Sequence, residues 1–233
     1  MSRQLTLILP SVATISSLVC GVLAIMVLSD GNFLLAAILI MLGSVLDVLD
    51  GQLATRLDAI SDIGKELDSL ADVVTFGVAP TLLIYHLLLI VGVDRPIAIL
   101  SSLAFVMAGA LRLARFNTMP SDRNAYFKGM PIPMASALLI TASFWQHWVM
   151  NIWWTAAVIT ISYLMVSNFP YPKSKHILEL PPIIWLAISL FTLACWQLAS
   201  WQAVPFSLFF LYALSGPGLF IYKANQRRVS LVI

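Results

Sequence analysis

The fold expected for this chain is all-α: a polytopic bundle of about eight membrane-crossing helices. Three observations predict it. Of the 233 residues, 60% are hydrophobic and only 10% charged, where a soluble domain carries about 25% charged residues. Mean hydropathy is +0.93. The apolar residues gather in runs close to the ~20 residues that a helix needs to cross a hydrocarbon core of ~30 Å. In lipid such a helix satisfies its own backbone hydrogen bonds.

The runs cover, in order, 5–28, 33–56, 63–91, 96–117, 131–148, 151–168, 180–199 and 203–222. The first is entered through MSRQLTLILP, with a single Arg ahead of it and no clean small-residue cleavage site. It is read as a retained span rather than a signal peptide. The second and third carry an unusual load of acids at their facing ends. The fourth closes on the basic RLAR. The fifth and sixth are short and closely spaced, and the last two carry no polar motif. No long polar stretch interrupts the series, so 1–233 is read as one membrane domain. Cys20 and Cys195 lie inside apolar runs and read as small buried hydrophobes rather than a disulfide.

The basic residues orient the series. Arg3 precedes the first run. Arg56 and Lys65 separate the second and third, and Arg112, Arg115, Arg123 and Lys128 lie at or after the end of the fourth. Lys173 and Lys175 follow the sixth, and Lys223, Arg227 and Arg228 the eighth. With eight spans all of these share one side, and only Arg95 falls on the other. The positive-inside rule makes the basic side cytoplasmic, with both termini on it. A cell (inner) membrane location and contact with anionic lipid headgroups follow. A net charge of +2 gives no reason to expect nucleic acid. Trp145, Trp148, Trp153, Trp154, Trp196 and Trp201 fall near the opposite span ends and read as an interfacial aromatic belt. His86, His147 and His176 are scattered and read as packing residues.

Seven of the eleven acidic residues lie in one stretch of 26, DVLDGQLATRLDAISDIGKELDSLAD. A carboxylate inside a bilayer costs roughly 3 kcal/mol even on mild insertion scales. Asp47 and Asp50 are three apart and share a helix face; Asp68 and Asp72 are four apart and do the same. LDAISDIG between them is a short polar connection in which Ser61 or Asp62 suits an N-cap. Two antiparallel helices then aim four carboxylates at one point. Such a cluster repels itself, and a hard divalent cation with oxygen ligands, Mg²⁺ or Mn²⁺, resolves that. No His or Cys accompanies it, which disfavours zinc. Gly51 and Ala54, with Gly64 a turn ahead of Asp68, leave room for a phosphate-sized ligand near the backbone. Arg56 and Lys65 are too few to neutralise the seven acids. Asp58, Asp62 and Glu66 read as solvated loop or rim residues.

The stretch resembles the motif of the CDP-alcohol phosphotransferase family, D-x2-D-G-x2-A-R-x8-G-x3-D-x3-D. Asp47, Asp50, Gly51, Ala54, Gly64, Asp68 and Asp72 fall in register. One position departs: where the family has Arg after Ala54, this chain has Thr55, and the Arg stands one place later at Arg56. One residue of helix rotates a side chain by about 100°, so the charged contact shifts or is lost. LPSVATISSLVCG, LDSLADVVTFGVAP, RLARFN, FKGMPIPMAS and VSNFPYPK resemble, in order, segments of the phosphatidylserine synthase branch. Together they cover about residues 5–175.

The resemblance implies transfer of the phosphatidyl group of CDP-diacylglycerol to L-serine, releasing CMP. Asp47, Asp50, Asp68 and Asp72 would bind two divalent ions, and Asp72 would also take the serine proton. Ser11, Thr14, Gly51, Ala54, Thr55, Arg56, Ser61 and Gly64 would contact the CDP-lipid. Arg112, Arg115, Asn117 and Lys128 would hold the serine, bidentate Arg contacts suiting its carboxylate. A homodimer is implied as well. Two other readings stand beside this one. The same fold with another alcohol acceptor (glycerol 3-phosphate, inositol phosphate or choline) differs only in the acceptor pocket. A divalent-cation transporter would place its acids near the midplane between repeats, and the sequence shows no internal repeat.

Overall fold

The computed structural model describes residues 3–59, 61–118, 126–144, 151–172, 182–199 and 203–229, and their side chains over 9–59, 61–118, 126–144, 153–172, 184–197 and 204–222. The chain is an all-α bundle: α1 (Arg3–Ser29), α2 (Phe33–Arg56), α3 (Asp62–Ile90), α4 (Arg95–Thr118), α5 (Ile132–Ser143), α6 (Asn151–Val166), α7 (Pro182–Ala199) and α8 (Ala203–Val229). Among the described residues, each of the eight apolar runs overlaps one of these helices. Among the described residues, α1, α2, α3, α4 and α8 are long and apolar enough to cross a membrane; α5, α6 and α7 are apolar but shorter. His147, His176, Trp145, Trp148, Trp201, Arg123, Lys173 and Lys175 lie outside the described residues.

Two strands were not legible as an alternating pattern. β1 (Tyr126–Lys128) and β2 (Pro170–Pro172) pair antiparallel, Phe127 opposite Tyr171. They form a short ribbon after the ends of α4 and α6. Gly129 follows β1 with φ +79°. Its N–H donates to Phe169 O at 2.9 Å, and a Cβ there would collide with the Met165 and Ser167 carbonyls. The left-handed conformation and the close approach both require glycine.

α1 and α2 form a hairpin packed along its length. Asn32 caps α2 by accepting from Leu35 N at 3.2 Å, which satisfies a first-turn N–H. α3 begins on the cap Ser61, whose hydroxyl accepts from Gly64 N at 3.0 Å. It runs as an α-helix to Asp72, widens into a π-helical segment over Val73–Val78, and resumes as an α-helix at Ala79. The wide turn seats Thr75, fully buried, between the first two helices. Thr75 Oγ1 donates to Ser17 O at 3.1 Å. A Cβ on Gly21 would lie 2.6 Å from that hydroxyl, and one on Gly43 2.6 Å from Thr75 Cγ2. Small residues let these backbones approach.

Beyond the wide turn the apolar half of α3 meets α4 and α5, and Phe76, Leu88, Phe105, Ile132, Leu139 and Ile140 form the fully buried core. Trp154 corrects the aromatic-belt reading: it is 3% exposed and packs by Leu83, Ile84, Leu87 and Leu139. It faces inward because α6 turns that side to the core. Trp153 and Trp196 face outward at 65% and 53% exposure. His86 packs edgewise between Phe33 and Tyr85. Both cysteines are free thiols, Cys20 buried and Cys195 half-buried.

α8 locks the ribbon. Tyr171 is fully buried with its ring over Gly216, and its hydroxyl donates to Ala213 O at 3.1 Å. Tyr212 donates to Pro172 O at 3.3 Å. Among the described residues, α7 packs chiefly on α8.

Candidate active site

The end of α2 and the start of α3 are joined by a short connection, so their acids meet at one end of the bundle. Carboxylate oxygens of Asp47, Asp50 and Asp68 lie within 4.8 Å of one another. Asp72 is close enough to Asp47 and Asp68 to interact with both. Asp72 is the more buried of the two α3 acids in the motif, 9% exposed, and Asp50 is 6% exposed. Among the described residues the one ion pair is Lys65–Asp62 at 3.5 Å, exposed and one turn apart. Such a pair is worth little and leaves the cluster unneutralised. An all-oxygen donor set this close, with no basic side chain bonded to it, fits a hard divalent cation. Asp58 and Glu66 are exposed, as their loop and rim positions require.

The predicted CDP-lipid residues divide by position. Thr14 is buried and donates to Asp50 Oδ2 at 2.6 Å, as well as lying 3.1 Å from Pro10 O. It therefore holds an acid of the cluster. Ser11 is one turn nearer the start of α1 and half-buried. Gly51 is exposed, and a Cβ there would meet nothing within 4 Å; open space adjoins the backbone one residue from Asp50. Ala54 is half-buried. Thr55 is exposed and its hydroxyl donates back to Gly51 O at 2.8 Å. Arg56 is exposed at the last position of α2. The oxygen of Ser61 is taken up by the cap, and Gly64 lets that cap close, since a Cβ would come 2.9 Å from Ser61 Oγ.

The four residues read as a serine site also divide. Arg112 is 8% exposed on α4, with Nε lacking a hydrogen-bond partner among the described residues. Its guanidinium lies 6.0 Å from the Phe116 ring centre and near enough to Asp72 and Tyr212 to act on both electrostatically. Arg115, one turn on, donates to Val166 O at 3.2 Å and to Asn168 Oδ1. Asn117 donates to Ser69 Oγ at 2.9 Å, tying α4 to α3. Lys128 is exposed on β1. Sequence reasoning missed the Thr14–Asp50 bond as such, the Asn117–Ser69 tie and the arrival of Tyr212 from α8. Only a tyrosine inside an apolar run signalled the last.

The fold and cluster define a helical membrane protein with a cation-ready acidic centre at one end of its bundle. The sequence pattern of the CDP-alcohol phosphatidyltransferase family matches residues 7–166, and the chain belongs to that family of enzymes. It is 42% identical over 173 residues to a CDP-diacylglycerol–serine O-phosphatidyltransferase of Bacillus subtilis, covering 73% of this chain and 94% of the relative. A protein of the same name from Mycobacterium bovis is 36% identical over 187 residues, 75% of this chain and 64% of the relative. One from Helicobacter pylori is 36% identical over 176 residues, covering 72% and 73%. The resemblance read from the acidic motif and the four downstream segments leads to the same family.

Proposed function

We propose that this chain transfers the phosphatidyl group of CDP-diacylglycerol to the hydroxyl of L-serine, releasing CMP. The observation that supports it most is the meeting of Asp47, Asp50 and Asp68 within 4.8 Å, with Asp72 one turn beyond Asp68 on α3, in a chain whose relatives carry that activity in their names. Asp47, Asp50 and Asp68 would hold divalent cation, and Asp72 would share it through Asp47. Bound Mg²⁺ or Mn²⁺ would offset the pyrophosphate charge and polarise the phosphorus under attack.

The remaining work belongs to side chains of the chain itself. Thr14 fixes the Asp50 carboxylate. Gly51 and Ala54 leave a backbone surface on which the CDP moiety rests, with Ser11, Thr55, Arg56, Ser61 and Gly64 around it. The serine oxygen forms its bond to the lipid-linked phosphorus while the bond to the CMP oxygen breaks, and Asp72 accepts the hydroxyl proton. Arg112 is the buried cation that faces Asp72, so it receives the serine carboxylate and sets the hydroxyl near its base. Arg115 and Asn117 hold that wall in place, and Lys128 lines its entrance.

The active end faces the cytoplasm of a cell (inner) membrane, where CDP groups and serine arrive from water and the lipid tails stay in the bilayer. Residues 1–233 act as one domain, and the working unit is a homodimer. Purified protein with CDP-diacylglycerol, labelled serine and Mn²⁺ or Mg²⁺ is expected to give phosphatidylserine and CMP, and chelation to stop it. A product from glycerol 3-phosphate but none from serine would overturn the acceptor assignment.

A further inference from the structure

Most Ser and Thr hydroxyls described within these helices turn back on their own backbone, as a helical hydroxyl commonly does. Thr55 donates to Gly51 O, Thr118 to Ala114 O and Thr141 to Ala137 O. Thr75 instead crosses to another helix. It lies three residues beyond Asp72, is fully buried, and donates to Ser17 O of α1 at 3.1 Å. The Ser17 hydroxyl, also buried, donates in turn to Gly43 O of α2 at 3.0 Å. Two buried hydroxyls thus tie α3 to α1 and α1 to α2.

This tie lies one turn further into the bundle than the acidic centre. Ser17 is three residues after Thr14, which holds Asp50. Gly43 is four residues before Asp47, and Thr75 three after Asp72. Spacings of three and four keep each of these pairs on one helix face. The acids and the tie are therefore neighbouring layers of one seam between three helices. The seam has little slack: a Cβ on Gly21 would lie 2.7 Å from Thr75 Cα, and one on Gly43 2.6 Å from Thr75 Cγ2.

The backbone of α3 gives the tie its consequence. Its π-helical turn starts at the residue after Asp72, and the Ala79 N–H closes it on Val74 O, five residues back. A π turn holds more residues than an α turn, so it changes the rotation of the half of α3 carrying Asp68 and Asp72 relative to the half packed in the core. One residue of helix is worth about 100° of rotation. Within the wide turn, VVTFGV, Thr75 is the one side chain with a hydroxyl to bond a neighbouring helix. We infer that Thr75 is a positioning residue of the acidic centre: its bond to Ser17 O sets the depth and rotation of Asp68 and Asp72 against Asp47 and Asp50, and so the spacing of the cation ligands. The inference rests on the reading of those carboxylates as a cation site.

The test titrates Mn²⁺ into wild type, Thr75→Val and Thr75→Ser in detergent, without substrate, and reads bound ion by electron paramagnetic resonance. Valine keeps the shape and loses the hydroxyl; serine keeps the hydroxyl and loses the methyl beside Gly43. Thr75→Val is expected to weaken Mn²⁺ binding about tenfold, the lower end of what losing a ligand-orienting contact costs. In the serine-transfer assay at saturating Mn²⁺ its kcat should fall by a similar factor, with KM for serine and for the CDP-lipid changed less than about threefold. Thr75→Ser is expected to stay within about threefold of wild type throughout. Unchanged Mn²⁺ affinity in monodisperse Thr75→Val, or an equal loss in Thr75→Ser, overturns the inference. Should Thr75→Val not yield monodisperse protein, Gly43→Ala decides, because it presses on Thr75 Cγ2 and keeps every hydroxyl. Weaker Mn²⁺ binding there supports the inference and unchanged affinity overturns it. Wild type that binds no Mn²⁺ overturns the cation site and the inference with it. Wild type that binds Mn²⁺ but makes no phosphatidylserine counts against the proposed acceptor alone, and the comparison of variants still decides the role of Thr75.

Discussion

The acidic and basic walls of the site are built in different ways. The acidic wall stands on two consecutive helices, and its four carboxylates sit at spacings of three and four residues. The basic wall proposed to face it draws on α4 and the ribbon, with Tyr212 of α8 beside Arg112, elements that meet only in the folded chain. The contrast is sharpest between Arg112 and Arg115. They are one turn apart on the same helix and of the same type. Arg112 is buried and acts on Asp72 electrostatically, with Nε unpartnered among the described residues, whereas Arg115 donates to Val166 and Asn168. A cation whose donors are already committed holds structure; one with a buried, unpartnered N–H is available to a ligand.

The largest expected effect breaks the acidic wall. Asp72→Asn keeps shape but removes the base, and kcat should fall by a factor on the order of 10²–10⁴, read in the serine-transfer assay with unchanged elution in detergent. Next, Arg112→Ala should raise KM for serine by about 10–100-fold, the worth of a charge-assisted hydrogen bond. Arg115→Ala should change that KM less than about threefold and act chiefly on thermal stability. Equal KM effects from the two would erase the distinction between them. Gly43→Leu, which forces a side chain into Thr75, should cost about 1–3 kcal/mol of stability, visible as a lower unfolding temperature. Thr55→Arg restores the family's residue beside the acidic wall and should lower KM for the CDP-lipid a few-fold, the scale of one exposed charge contact. An unchanged value would show that Arg56 already serves.

Much of this was open to reading in the chain itself because the forces involved are local. The helices follow from runs of apolar residues with almost no charge, and the acidic face from carboxylates whose spacing matches one helical turn. The cap at Ser61 is equally local, a side chain bonded three residues ahead. Trp154 was misplaced because its run is apolar on every side, so periodicity gives no sign of which side turns inward. The ribbon was missed because strands of three residues carry no period to detect.

The sequence alone determined that the chain is a membrane helix bundle, where its acids converge, and to which family it belongs. All three depend on composition or on spacings within a few dozen residues. Tertiary structure decided which arginine faces Asp72, how Thr75 threads its wide turn between Gly21 and Gly43, and that α8 locks the ribbon. Those contacts join residues tens of positions apart, and packing between whole helices, rather than any local preference, sets them.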